Sequence, residues 1–417
     1  MKLQKIINRL QKLHPKEIDL SLDRIKKLCQ KLGDPQKDLK CITIVGTNGK
    51  YSTIQAIRAI LKEAKINCNT YISPHIQKIN ERFVYNHEEI SDEDLAKLLI
   101  EVEEINSGEP ITYFEILTAA YFYHAKKFDN INLIESGLFH RFDATNIINK
   151  NLASIITPIG LDHLDWLPEN EKTIEKIVFE KTSSLLNSKI IISNQTSDQI
   201  LNAIKKNISN NNSKKIIYNE NFSYSENENG FIYYEDEIGG LKLPRPNLLG
   251  EFQIDNIATA IATLRNLDFQ IKEDHIKNGI TRIKSIARLQ EIKSGKLKNL
   301  CKNNKIFVDG SHNPLGAKAL NKYLDNFDYN KHIILGMMAN KDHNKYMSYF
   351  KNISSLTTVD IPNQINAING IELKNKFPNA EFRESIQEAI NKLNLEENDI
   401  VLITGSLYLA GEVLKLN

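Results

Sequence analysis

Cysteine is scarce in this chain of 417 residues: there are four, Cys29, Cys41, Cys68 and Cys301, and none falls in a CxxC spacing. Neither a zinc site nor a disulfide framework is indicated, and scattered thiols of this kind read as structural groups in a reducing compartment. Long apolar runs are missing as well. None approaches the roughly 18 residues of a membrane span, and the N-terminal stretch mixes charges among its apolar residues where a signal peptide would be uniformly apolar. Nor does one sign of charge dominate: Lys plus Arg number 54 against 52 for Asp plus Glu, a net +2. So small an excess predicts no phosphate-backbone partner. These absences point to a cytoplasmic protein with neither nucleic acid nor membrane as partner.

What is present is ordinary for a globular chain, with 41% hydrophobic and 25% charged residues, and this excludes a largely disordered or collagen-like protein. The length is roughly two to three usual domains, so two domains are expected. Leu3, Ile6, Ile7, Leu10 and Leu13 repeat at helical spacing and predict an amphipathic first helix that stops near Pro15. Beyond it, short apolar runs alternate with helical patterns. Strands are expected at 42–45, 68–72, 131–135 and 153–157, and helices at 52–64, 111–128 and 171–186. Ser91-Asp92-Glu93-Asp94 is a capping signature opening a further helix to near Ile105. Such alternation implies a mainly parallel sheet covered by helices. The stretch 205–240, rich in Asn, Ser, Tyr and acidic residues, predicts exposed turns and short antiparallel strands. The alternation then restarts, with strands at 305–308, 332–335 and 400–404 and helices at 315–326 and 385–393. The expected division is a larger domain over 1–286 and a smaller α/β domain over 287–417.

Gly46-Thr47-Asn48-Gly49-Lys50-Tyr51-Ser52-Thr53 follows one expected strand and opens a helix, the setting a phosphate-binding loop requires. Glycines let the backbone curl so that N–H groups point inward, the helix N-terminus adds positive potential, and the lysine neutralises phosphate charge. The spacing is shorter than in G-x-x-x-x-G-K-[ST], and a structural glycine turn is the alternative. Ser52 and Thr53 suit either of two roles, a hydroxyl ligand for Mg²⁺ or a helix cap. The loop alone does not separate a ligase from a kinase or an NTPase.

The loop resembles that of the Mur ligase superfamily, in particular the dihydrofolate synthase / folylpolyglutamate synthase family. The likeness runs in chain order through Ser73-Pro74-His75, Thr112-Tyr113-Phe114-Glu115, Glu135-Ser136-Gly137-Leu138 and Arg141-Phe142-Asp143-Ala144-Thr145-Asn146. It continues through Gly160-Leu161-Asp162-His163-Leu164-Asp165-Trp166-Leu167, Phe179-Glu180-Lys181, Asp255-Asn256, Ala287-Arg288-Leu289, Asp309-Gly310-Ser311-His312-Asn313-Pro314 and Asn340-Lys341-Asp342. The resemblance implies an α/β fold, with an N-terminal P-loop-type, mainly parallel sheet domain and a smaller C-terminal Rossmann-like domain. It implies an ATP-dependent ligase that joins L-glutamate to dihydropteroate, forming dihydrofolate, and to tetrahydrofolate, forming polyglutamates, through an acyl phosphate. Such chemistry needs phosphate clamping, metal charge and positioning more than a covalent nucleophile.

Carried over position by position, the resemblance gives Thr47, Asn48, Gly49 and Lys50 to the ATP phosphates and Ser52 to one Mg²⁺. Ser73, Glu135 and His163 would line a second Mg²⁺, and Lys181 matches a lysine that the family carbamylates; Lys50, His163 and Lys181 form the implied catalytic set. Asn256, Arg288 and Asp309 would contact ATP between the domains. The pteridine contacts fall on Asp19, Leu20 and Ser21, on Thr112, Tyr113, Phe114 and Glu115, and on Phe142, Asp143 and Ala144. Lys16-Glu17-Ile18-Asp19-Leu20 is similar to members that make dihydrofolate. A monomer is implied.

Each position has a plainer alternative. Glu135 at a strand end also fits a surface carboxylate, His163 an ion-paired surface group and Lys181 a solvated helix face. Phe114 and Trp166 suit core packing, and His312 either orients glutamate or shapes a turn. Two departures stand out: Tyr51 where the family has Gly, and Phe139-His140 where it has Gly-Gly. A left-handed backbone there would cost a bulky residue about 1–2 kcal/mol. The departures motivate a second reading, a non-catalytic ATP- or folate-binding descendant. A cell-wall Mur-type amino-acid ligase is a weaker rival, since only 45 residues precede Gly46.

Overall fold

The computed structural model describes residues 3–16 and 19–417; Glu17 and Ile18, within the segment similar to dihydrofolate-forming members, lie outside them. Two compact units emerge. The first comprises Met1–Ile159, Pro168–Asn247 and Asp255–Ile283, the second Gly160–Leu167, Leu248–Ile254 and Lys284–Asn417.

The first unit is built on strands β1 (Lys40–Val45), β2 (Cys68–Tyr71), β3 (Phe83–Tyr85), β4 (Glu88–Glu89), β5 (Ile131–Glu135), β6 (Ala153–Ile156), β7 (Lys189–Ile192) and β8 (Lys215–Ile217). They form one sheet in the order β4-β3-β2-β5-β1-β6-β7-β8. All neighbours are parallel except the β2–β3 and β3–β4 pairs at one edge. Strands such as Ile131–Glu135 are buried throughout rather than alternately, as a sheet covered on both faces requires. β5 and β6 flank β1 on opposite sides. The chain therefore leaves β1 at a point where the winding reverses, and the crevice outside the carboxyl ends of such strands is where open α/β sheets hold ligands.

Helices Leu3–Leu10, Asp23–Lys31, Asp92–Asn106 and Tyr113–Ala125 share one apolar core that includes Ile6, Leu10, Leu28, Leu99 and Tyr121. Elsewhere in the unit, helix Glu273–Ile280 packs closely on helix Lys50–Glu63: a Cβ on Gly279 would fall 2.8 Å from Ile60 Cα. The first helix is shorter than its periodicity suggested. After Leu10 the chain tightens into i→i−3 bonds, Lys12 N–H to Arg9 and Leu13 N–H to Leu10, and leaves the α-helix before Pro15. Helix Ile174–Thr182 likewise starts later than expected, at the Thr173 cap whose hydroxyl accepts from Lys176 N–H at 3.2 Å.

The stretch 205–240 is only partly the antiparallel region expected. Helix Asp198–Asn207 runs into it, and β8 pairs parallel with β7, extending the main sheet. The antiparallel part is a separate sheet of β9 (Phe222–Glu226), β10 (Ile232–Asp236) and β11 (Leu241–Leu243).

In the second unit, β12 (Gln290–Glu291), β13 (Lys305–Val308), β14 (Lys331–Leu335), β15 (Ser355–Val359), β16 (Ala380–Arg383) and β17 (Ile400–Thr404) form a sheet ordered β12-β13-β17-β14-β15-β16. Apart from β12 the pairs are parallel. Leu320, Leu335, Tyr346, Leu373 and Leu402 lie in its core.

Candidate active site

The loop after β1 is shaped by its glycines. Gly46 and Gly49 have φ of 146° and 87°, values that L side chains rarely adopt. A Cβ on Gly46 would collide with Thr157 Oγ1, and one on Gly49 with Asn256 Oδ1. Thr47 and Asn48 donate their backbone N–H groups to the Pro158 carbonyl at 3.0 and 3.2 Å. The segment after β6 and the buried Asn256 therefore fix the loop. Gly49 is the N-cap of helix Lys50–Glu63 and offers no side-chain cap. Ser52 and Thr53 lie inside the first turn, so the capping role is excluded for both; Ser52 is buried, and Thr53 Oγ1 is buried without a hydrogen-bond partner.

Lys50 turns back over this loop. Its ammonium donates to the carbonyls of Gly46 and Thr47, both at 3.2 Å, and lies 3.7 Å from Glu135 Oε1. Glu135 ends β5 beside Ile44 of β1 and is 6% exposed, so it is no surface carboxylate. Its Oε2 accepts the backbone N–H of Ser73 at 3.2 Å. Ser73 Oγ is buried with no hydrogen-bond partner, an orphaned oxygen next to a carboxylate. This pair of hard oxygen donors suits Mg²⁺. Among the described residues no three His, Cys, Asp or Glu side chains cluster as a metal site, so any metal here needs hydroxyl, substrate or water oxygens as well.

Lys181 does not lie on a solvated face. It is buried, donates to the Leu138 carbonyl at 3.0 Å and stands 5.6 Å from the centre of the Phe139 ring. Phe139 and His140, which occupy the glycine-pair positions, do not adopt positive φ. The left-handed strain weighed for bulky residues there is therefore absent. Burial and the neighbouring Lys181 push the His140 imidazole down to about 3, so it is neutral at physiological pH.

The residues assigned to the pteridine form two groups that meet at Gly137, where an added Cβ would lie 3.0 Å from Asp143 Oδ2 and 3.2 Å from Phe114 Cζ. Asp19, Thr112 and Glu115 come together through Arg24, which sequence reasoning passed over. Its guanidinium donates to Asp19 Oδ2 at 2.8 Å and to both Glu115 oxygens at 3.0 and 3.1 Å. Burial tends to raise the Asp19 carboxyl, and Arg24 with Lys16 outweighs it, holding Asp19 below its ordinary value. Thr112 and Glu115 form a capping box, each accepting the other's backbone N–H. Tyr113 and Phe114 open the same helix half-buried, Phe114 with its ring stacked 6.0 Å from Tyr71. Leu20 is exposed, and Ser21 Oγ accepts from Asp23 N–H.

In the second group only Phe142 is exposed, under the Arg141 guanidinium at 4.4 Å. Asp143 is spent on its own loop, accepting from the N–H groups of Gly137, Leu138 and Thr145, and Ala144 is core. Burial raises the Asp143 carboxyl against those hydrogen bonds. These two shape the loop rather than present groups to a ligand.

In the second unit, Asp309 follows β13 and accepts the backbone N–H groups of Leu289 and Ser311 at 2.6 and 2.7 Å. Burial raises its carboxyl and Arg288 opposes the rise. The same unit has a charged hub that sequence reasoning also missed. Asp162 takes Lys341 at 2.7 Å and Asn313 at 3.2 Å, with His312 and His163 at 3.5 and 3.8 Å. Burial would raise this carboxyl, but His163, His312 and Lys341 hold it well below the usual range. His163 has a left-handed backbone, φ 59°, and heads the short turn Leu164–Trp166. Trp166 is 37% exposed, so core packing does not explain it.

Comparison with known proteins decides the family. The Mur ligase middle domain matches residues 44–264, and the Mur ligase glutamate ligase domain matches residues 290–407. The chain belongs to the Mur ligase family. Within this Mur ligase the middle-domain match holds the phosphate loop, Ser73, Glu135, His163, Lys181 and Asn256, while Asp309, His312 and Lys341 fall in the glutamate ligase match; Arg288 lies between the two. The chain is 28% identical over 429 residues to the dihydrofolate synthase/folylpolyglutamate synthase of Bacillus subtilis (strain 168), covering 94% of each. Its structure is similar to that of E. coli FolC in complex with DHPP and ADP, with a TM-score of 0.88 and 25% identity over 100% of this chain and 97% of that one. It shares the fold of the bifunctional folylpolyglutamate synthase/dihydrofolate synthase from Yersinia pestis c092 complexed with AMPPNP and Mn ion, at TM-score 0.87 and 24% identity over 100% and 98%. Among the described residues no helix is long and apolar enough to cross a membrane.

Proposed function

We propose that this Mur ligase joins L-glutamate to the carboxylate of dihydropteroate, and to reduced folates such as tetrahydrofolate, at the expense of ATP. The observation that carries the reading is the grouping of Lys50, Glu135 and Ser73 beyond the carboxyl ends of β1, β5 and β2, beside a glycine loop of phosphate-binding shape. Its full-length relatives named dihydrofolate synthase/folylpolyglutamate synthase and the FolC structure with ADP support it.

A carboxylate is a poor electrophile, so its oxygen first attacks the γ-phosphorus of ATP. That step forms an acyl phosphate and releases ADP; the amine of glutamate then attacks the acyl carbon, and phosphate leaves as the amide forms. The protein supplies charge and alignment. Lys50 neutralises phosphate oxygens, and the loop from Thr47 to Gly49 sets their position. Asn256, Arg288 and Asp309 are assigned to ATP, and Asp19 to the hydrogen-bond donors of the pterin, its ionised state secured by Arg24. Mg²⁺, for which Ser52 at one position and Ser73, Glu135 and His163 at another are the proposed ligands, would supply positive charge against the phosphates. Lys181 is the proposed carbamylation site, its ε-nitrogen keeping an N–H for the Leu138 carbonyl after modification. The working form is a cytoplasmic monomer.

The test is ADP release dependent on both glutamate and dihydropteroate, with Lys50→Ala as control. Folate and ATP binding without release would favour the non-catalytic descendant. The unstrained backbone at Phe139 and His140 removes the main reason for that reading.

A further inference from the structure

Phe139 and His140 are 2% and 3% exposed, and the loop is built around them. His140 Nδ1 lies 2.9 Å from Ser136 Oγ. Ser136 directly follows Glu135 and donates its backbone N–H to Ile44 of β1 at 3.0 Å. On its other side, Ser136 Oγ lies 3.4 Å from Thr145 Oγ1, and that hydroxyl donates to Asp143. The loop is also clasped to helix Ile174–Thr182. The backbone N–H groups of His140 and Arg141 both donate to the Glu180 carbonyl, at 3.1 and 3.0 Å. Arg141 grips the Glu180 carboxylate at 2.8 and 2.7 Å, and Lys181 returns a bond to Leu138.

A glycine pair would keep the two backbone donors but would lack the imidazole that reaches Ser136 and the ring that lies against Lys181. We propose that His140 is a positioning residue: through Ser136 it holds the end of β5, so that Glu135 stays against Lys50 and Ser73 while the same loop fixes Lys181. This inference rests on the reading above that Glu135 and Lys181 serve the ATP site. Asp19, Arg24 and Glu115 take no part in the network, whereas Asp143 and Phe142 belong to the same loop.

The experiment compares the full-length wild type with H140G, H140N and H140L. Amide hydrogen exchange is read over 136–141 without ligands, together with kcat and the Mg²⁺ concentration for half-maximal rate. H140G is expected to speed exchange in 136–141 and to lower kcat or raise the Mg²⁺ requirement roughly 10- to 100-fold. H140N can still meet Ser136 Oγ and is expected to restore slow exchange and most of the rate. If H140G does not fold, H140N and H140L make the same comparison, since leucine fills space without the hydrogen bond. H140N as impaired as H140L, or H140G with wild-type exchange and kcat, overturns the proposal. Wild-type protein with no glutamate-dependent ADP release would instead overturn the ligase reading, and the exchange comparison would then judge His140 by itself.

Discussion

In the proposed reaction Lys50 is the side chain on which the phosphate chemistry depends most. Replacing it with alanine removes the ammonium that faces both the loop carbonyls and Glu135, and the expected loss in kcat is roughly 10²- to 10³-fold, read as ADP release. Arg24 makes a contrasting prediction. Arg24→Met frees Asp19 and Glu115 from their shared partner, so the KM for dihydropteroate should rise about tenfold, a cost near that of one charged hydrogen bond, while the KM for ATP stays unchanged. Equal effects on both constants would contradict the separation of the two sites. Lys50 and Glu135 could be picked out locally, one opening a helix after a glycine loop and the other ending an apolar strand, whereas Ser73 was reached only through the family resemblance. Arg24 and Asp162 were not legible in the sequence. Arg24 meets Glu115 91 positions away, and Asp162 meets Lys341 179 positions away, and nothing in local spacing reports such pairings. Asp143 shows the opposite failure: it stands in a matching block, yet its oxygens are taken by its own loop.

Among the elements, the three-stranded sheet is clipped to helix Glu251–Arg265 by one ion pair, Arg265 to Asp236 at 2.7 and 2.9 Å. Burial tends to raise the Asp236 carboxyl, and Arg265 with the Ile238 N–H outweighs it, so the native value is lowered. A lowered native pKa means that the stabilisation is complete above the unfolded carboxylate value and fades as pH falls through the native one. Asp236→Asn should therefore cost about 1.5–3 kcal/mol at pH 7. Urea unfolding should show the gap to wild type closing only below about pH 4. A gap unchanged between pH 7 and pH 3 would contradict the assignment. Thr112→Ala should cost about 1 kcal/mol through the lost cap, measured by thermal unfolding. The buried strands Ile131–Glu135, Lys305–Val308 and Ile400–Thr404 were readable from sequence because short apolar runs in an α/β rhythm have few other solutions. Lys215–Ile217 was not, since three residues in a polar stretch carry no period and only the β7 edge makes them a strand.

For the molecule as a whole, the net charge of +2 says little about the chemistry, because charge is concentrated locally. The first unit brings Lys50 against Glu135 and Arg24 against Asp19 and Glu115, and the second gathers Lys341 and two imidazoles on Asp162. The two large, mainly parallel sheets follow from sequence rhythm, but the make-up of the units does not: Gly160–Leu167 and Leu248–Ile254 group with the C-terminal residues through packing and ion pairs that no composition shift marks. The central claim is that these units together perform one reaction, an ATP-driven amide synthesis. The most direct measurement is ADP release by the purified full-length chain with dihydropteroate and L-glutamate, each omitted in turn. The account predicts release that requires both substrates and falls to background in Lys50→Ala; release indifferent to glutamate, or equal in the variant, would contradict it.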